Sequence, residues 1–300
     1  MTSQTGRHII ITGASSGIGA AIAQSLVEAG WTAHACARRV EPIQEMLGGR
    51  GYAYRCDVGE ESEVAAFALA VQAVTPTVHA LVNCAGAFGV IGAVGKVDPR
   101  GWMDGVRVNL GGTYFCVHHF LPLLTAAAAT SPSVSIINFS GGGAFNPMPN
   151  YGCYTVSKAG IVRLTENLAV ELAPLGIRVN ALAPGFVATP IHEGTFAVGP
   201  ELAGSAYFDE TRRKLKEDAV PMEVPVACLH YLLSPSCTLT GKTISANFDP
   251  WASGIFETHA ESLNASDLYT MRRINLVNLP PSDLTGEIEQ AAALKRRQVN

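Results

Sequence analysis

Tyr154 and Lys158 stand four residues apart in "YTVSK". On an α-helix, residues at that spacing share a face. An unperturbed phenol has a pKa of about 10, too high for ready proton exchange near neutral pH, and a nearby ammonium lowers it. The pair therefore reads as a general acid or base with its activator. The plain alternative is a solvent-facing pair. Tyr151 precedes the same helix and points elsewhere, so it is expected to line a cleft or to pack against a covering segment.

A second cluster suits phosphate. "TGASSGIG" sets Gly13, Ser15, Ser16, Gly17, Ile18 and Gly19 between an apolar run and a helical pattern. Glycines let the backbone turn sharply and approach a pyrophosphate, and the helix N-terminus offers unpaired N–H groups. The next apolar run ends in Arg38 and Arg39, at the place where a carboxylate would hold a ribose 2′-hydroxyl. A guanidinium suits a 2′-phosphate instead, which favours NADP(H) over NAD(H). A surface arginine pair is the competing reading. Asp57 either accepts a hydrogen bond from an adenine amino group or caps the next helix, with Ser62 as a rival cap.

These residues need a scaffold. Strands are expected at 8–12, 32–37, 51–58, 79–86, 134–140, 177–184 and 241–248, and helices at 18–29, 61–74, 101–124 and 152–173. Strand runs that are apolar throughout, alternating with helices, indicate a parallel sheet covered on both faces. The expected fold is α/β, a doubly wound Rossmann-type sheet in a single domain over 1–250. A lid insertion is expected at about 186–224 and a C-terminal extension at 251–300. The charged stretch "DETRRKLKED" reads equally well as an ordinary surface helix.

The bulk numbers limit the function classes. The chain has 300 residues, 48% of them hydrophobic, enough for one large core. A net charge of −4 and the lack of a basic cluster beyond "KRR" (295–297) argue against nucleic acid. Seven cysteines stand singly with no C-x-x-C pair, and eight histidines are dispersed, so neither disulfides nor a metal site is expected. "MTSQTGRHIIITG" has no secretory pattern, and no apolar run approaches the ~18 residues of a membrane span. A soluble, cytoplasmic protein is expected.

"TGASSGIG", "CDV" (56–58), "NCAG" (83–86), "VNLGG" (108–112), "NFS" (138–140), "YTVSK", "RVNALAPG" (178–185) and "TGK" (240–242) come in one order along the chain. On these motifs, which span about 7–248, the sequence resembles the short-chain dehydrogenase/reductase family in its single-domain branch. The resemblance implies that Tyr154 exchanges the proton with the substrate oxygen. Lys158 would lower its pKa and bond the nicotinamide ribose, and Asn109 would hold a water behind Lys158. It places Asp57, Val58, Asn83, Ala85 and Gly86 on the adenosine side, and Pro184, Gly185, Val187 and Thr189 at the nicotinamide carboxamide and diphosphate. Bridging or turn-forming roles compete for Asn109, Asn83, Pro184, Gly185 and Thr189.

The family places a carbonyl-polarising serine thirteen residues before its tyrosine, where this chain has Gly141. A one-residue insertion would give that role to Ser140; otherwise the carbonyl relies on Tyr154 alone. The chain also continues past the usual family end. The expected function is interconversion of a ketone or aldehyde and an alcohol. The partner is a small molecule, with no nucleic acid or membrane, in a homodimer or homotetramer. A non-catalytic NADP(H)-binding regulator and a nucleotide-sugar epimerase or dehydratase are the rival readings.

Overall fold

The computed structural model describes residues 6–272. Seven parallel strands form one sheet in the order β3-β2-β1-β4-β5-β6-β7. They are β1 (His8–Thr12), β2 (Thr32–Ala37), β3 (Gly51–Arg55), β4 (Ala80–Asn83), β5 (Val134–Phe139), β6 (Ile177–Ala183) and β7 (Thr243–Ser245). The order runs outward from β1 to β3 on one side and from β4 to β7 on the other. A crevice therefore opens at the strand C-termini between β1 and β4.

Successive side chains of a strand face opposite sides, so each run feeds two cores. Ile9, Ile11, Ile137, Phe139 and Leu182 pack with Ile22 and Leu26 of α1 (Gly17–Glu28) and with Leu229 and Leu232 of α9 (Glu223–Leu233). On the other face, Ile10, Leu81, Val134, Ile136 and Val179 meet three helices: α3 (Glu61–Gln72), α5 (Gly112–Ala128) and α6 (Gly152–Leu172). Burial on both faces is what the unbroken apolar runs require.

Several boundaries differ from the sequence reading, for local reasons. β3 ends at Arg55 and β4 at Asn83, each three residues early. Past β4, the N–H groups of Cys84 and Ala85 both donate to Thr12 Oγ1 at 3.1 Å, so a side chain replaces the ladder. The single helix expected at 101–124 is α4 (Pro99–Val106), a π-helical turn over Arg107–Gly111, and α5. Helix α2 (Glu41–Leu47) was not expected. At seven residues it is too short to display a period, and it stops at Gly48 in a left-handed conformation (φ 53°).

Residues 186–224 contain a 3₁₀ turn (Pro190–His192), α7 (Glu193–Ala203) and α8 (Ser205–Glu217). The charged stretch is the outer face of α8, where Glu210 pairs with Arg213 and Lys214 at 3.1 and 3.2 Å. Its inner face carries Tyr207, Phe208 and Thr211 toward the rest of the chain.

After β7 come α10 (Ile255–Thr258) and α11 (Ala260–Asn264). Phe256 and Ala260 are buried in the α1/α9-side core, and Trp251, Leu263 and Tyr269 pack against it. The next segment closes the outer side of β7. Thr243 N–H donates to Tyr269 O at 2.8 Å, and the buried Lys242 Nζ donates to Ser266 O at 2.7 Å and Leu268 O at 3.2 Å. The chain divides into a unit over Met1–Thr270 and a second over Met271–Asn300, of which only 271 and 272 are described. The part of the expected C-terminal extension after residue 272, with "KRR" in it, lies outside the described residues. Among the described residues, no helix is long and apolar enough to cross a membrane.

Candidate active site

The glycine turn sits at the crevice between β1 and β4. Gly13 (φ 71°) and Gly17 (φ 57°) occupy the left-handed region, and Ser16 is the N-cap position of α1, without a side-chain cap. A Cβ on Gly13 would lie 2.7 Å from Ala85 Cα, and one on Gly19 would lie 2.4 Å from Gly13 O. Only hydrogen at these positions lets the turn fold this tightly against the loop after β4. Ser15 and Ile18 are half-buried beside it, and Thr189 touches the same turn, 3.3 Å from where a Gly17 Cβ would stand. This backbone cradle at a helix N-terminus fits a pyrophosphate.

At the end of β2, Arg38 and Arg39 are exposed. Neither forms an ion pair among the described residues. The Asp57 carboxylate accepts Gly59 N–H at 2.9 Å, closing a turn before α3, and Val58 is buried behind it. Asn83 Nδ2 donates to Asn138 Oδ1 at 2.9 Å, tying β4 to β5, while its own Oδ1 is buried with no hydrogen-bond partner among the described residues. Pro184 and Val187 are buried, and Gly185 (φ 83°) is exposed at the turn after β6.

The residues expected to handle the proton lie at the same crevice. Lys158 and Tyr154 lie on one face of α6, with Nζ 5.6 Å from the Tyr154 ring centre. Lys158 is 4% exposed, and its Nζ donates to Phe139 O at 2.7 Å. Burial brings its pKa from 10.5 down to about 8. Burial, with Tyr207 close by, holds the Tyr154 phenol above its ordinary value. That direction is opposite to the one expected from the sequence, because burial of the phenol disfavours its charged form.

Asn109, fully buried in the π-helical turn, donates to Ala87 O and Gly105 O at 2.9 and 2.8 Å and accepts Ala87 N–H at 3.0 Å. It locks the loop after β4 to this turn, which is the bridging role. A Cβ on Gly86 would stand 2.9 Å from Asn109 Oδ1 and 3.5 Å from Lys158 Nζ, so these residues meet at one point. Ser140 is buried at the end of β5, and its Oγ has no hydrogen-bond partner among the described residues.

Aromatic side chains cover the phenol. Phe88 meets Tyr151 and Tyr154 edge-on, each at 5.0 Å, and Tyr207 lies 4.7 Å from Tyr151. Tyr151 is fully buried, and its hydroxyl bonds Thr195 Oγ1 of α7 at 2.9 Å, so it packs against the covering helices. Sequence reasoning missed Thr12, the Phe139 carbonyl, Phe88 and Thr195. Only Thr12, beside the glycines, left a signal.

The family model for short chain dehydrogenases matches residues 7–197. The chain belongs to the short-chain dehydrogenase family. A 3β-hydroxysteroid dehydrogenase of Mediterraneibacter gnavus is 26% identical to this short-chain dehydrogenase over 260 residues, covering 80% of this chain and 92% of the relative. The 3-ketoacyl-(acyl-carrier-protein) reductase of Brucella melitensis, solved with NADH, superposes with a TM-score of 0.70 at 26% identity, over 80% of this chain and 96% of that one. A variant of the actinorhodin polyketide ketoreductase, solved with NADPH, gives 0.70 at 28%, over 81% and 96%. This short-chain dehydrogenase is an oxidoreductase of carbonyl and alcohol groups, in a family whose members bind NADH or NADPH.

Proposed function

We propose that this short-chain dehydrogenase interconverts a ketone or aldehyde and its alcohol with NADP(H), and that Tyr154 exchanges the proton at the substrate oxygen. The observation that carries this reading is the placement of Tyr154 and Lys158 on one face of α6, at the crevice that also holds the glycine turn. When bound, the nicotinamide supplies or accepts the hydride. The chain's own residues bind and orient both reactants and move the proton.

Lys158 has three donors, and Phe139 O engages one of them. The ammonium can thus hold the nicotinamide ribose while favouring charge on the phenol oxygen. Asn109 fixes the loop that borders this ammonium, and its proposed water supplies the proton route from behind. Asn83, Ala85 and Gly86 line the adenosine side, with Asp57 and Val58 beside them. Pro184, Gly185, Val187 and Thr189 hold the carboxamide and diphosphate. The exposed Arg38 and Arg39 are proposed to meet a 2′-phosphate, which selects NADP(H). Ser140 stays the sequence's candidate for a second hydrogen bond to the substrate oxygen; the alternative leaves that oxygen to Tyr154. A homodimer or homotetramer is proposed by analogy with the family.

Tyr154→Phe tests the reading. Turnover of NADPH with a carbonyl panel should fall by about a thousandfold, while the dissociation constant for NADPH, measured by nucleotide fluorescence, should hold. Turnover that survives the substitution overturns the assignment.

A further inference from the structure

Gly141 stands just past Ser140, beyond Phe139, the last residue that pairs β5 with β6. Its backbone is extended (φ 175°, ψ 169°), a conformation open to every residue, so the chain path does not call for glycine. Apart from the residues adjoining it in the chain, a Cβ built on Gly141 would have one neighbour within 4 Å among the described residues, the Tyr154 hydroxyl oxygen at 3.2 Å. The space a side chain would fill here is the space against the reacting oxygen. Ser140 N–H still donates to Leu182 O at 2.9 Å, continuing the ladder.

The surroundings of the phenol are apolar. Phe88 presents its edge to Tyr154, and Tyr207 and Phe208 of α8 belong to the same cluster. Aromatic faces favour apolar, ring-shaped partners. The open seat adds a shape requirement. An aldehyde carries only hydrogen on one side of its carbonyl carbon and leaves the seat empty. A ketone inside a ring carries carbon on both sides and fills it.

We infer that Gly141 determines specificity: its missing side chain cedes the volume beside the Tyr154 hydroxyl to the substrate, which is an apolar cyclic ketone or the matching secondary alcohol. The inference rests on Tyr154 being the proton-exchanging residue. Reduction transfers a hydride from NADPH to the carbonyl carbon and a proton from Tyr154 to its oxygen, giving the alcohol and NADP⁺.

The test compares 1-tetralone with butanal in NADPH oxidation. The unaltered enzyme should prefer tetralone in kcat/KM. Gly141→Ala, which adds one methyl group and no hydroxyl, should cut the tetralone-to-butanal ratio by about tenfold or more. Its butanal turnover shows that the variant is folded. A preference for butanal in the unaltered enzyme, or an unchanged ratio in Gly141→Ala, overturns the inference and leaves the proposed activity standing. Turnover of neither probe overturns both.

Discussion

Arg38 and Arg39 make a testable pair because they lie at the C-terminal end of β2 with no ion-pair partner among the described residues. A charge-assisted hydrogen bond to a phosphate contributes about 1.5–3 kcal/mol, or roughly ten- to a hundredfold in affinity. Replacing both with alanine should weaken NADPH by that factor and leave NADH nearly unaffected, as read by fluorescence titration of each nucleotide. Equal loss for both nucleotides would return the pair to the plain surface reading. At this scale the sequence was informative wherever spacing along one element set the geometry. The four-residue step from Tyr154 to Lys158 is fixed by the helix itself. The bond from Lys158 to Phe139 O joins α6 to β5, and the contact of position 141 with the phenol depends on how those two elements pack. No local spacing encodes either.

Among the elements, the π-helical turn at Arg107–Gly111 has the most specific support. It holds Asn109, whose side chain satisfies both backbone groups of Ala87 and the carbonyl of Gly105. Asn109→Ala removes three hydrogen bonds and leaves the buried Gly105 carbonyl and the half-buried N–H and carbonyl of Ala87 without this partner, an unsatisfied buried group costing about 1–3 kcal/mol when nothing replaces the bond. Urea unfolding should show a loss of about 3 kcal/mol or more. A loss under about 1 kcal/mol would mean that the turn does not depend on this side chain. Apolar runs revealed the inner strands because a sheet buried on both faces must be apolar throughout, whereas the edge strand β3 is partly exposed and was marked by its tyrosines instead. Strand ends were less visible. Near the crevice the chain leaves the ladder for side-chain partners such as Thr12, and the apolar pattern continues past the last paired residue.

On the scale of the whole molecule, acid should loosen the fold through a histidine far from Tyr154 in sequence. His34 is fully buried in β2, between His8 on β1 at 2.9 Å and the Tyr54 hydroxyl on β3 at 3.1 Å. Burial, and then the nearby His8, lower its pKa from 6.5 to about 4. Above about pH 6.5 both the folded and the unfolded chain keep it neutral, so it adds no slope there. As pH falls from there toward about 4, the unfolded chain takes up a proton that the folded one refuses. Stability then drops by about 1.4 kcal/mol per pH unit, about 3 kcal/mol in all. His34→Gln should flatten this slope in urea unfolding at about pH 7 and about pH 5. Equal slopes in the two proteins would remove His34 from the account.

The seal on β7 has its own consequence for how the molecule is made. A nascent chain cannot close that edge until Tyr269 has cleared the ribosome, because Thr243 N–H waits for the Tyr269 carbonyl and Lys242 for those of Ser266 and Leu268. Until then the last strand stays open to pairing with other newly synthesised polypeptides. Completion of the sheet is thereby deferred until the residues that follow β7 have also emerged.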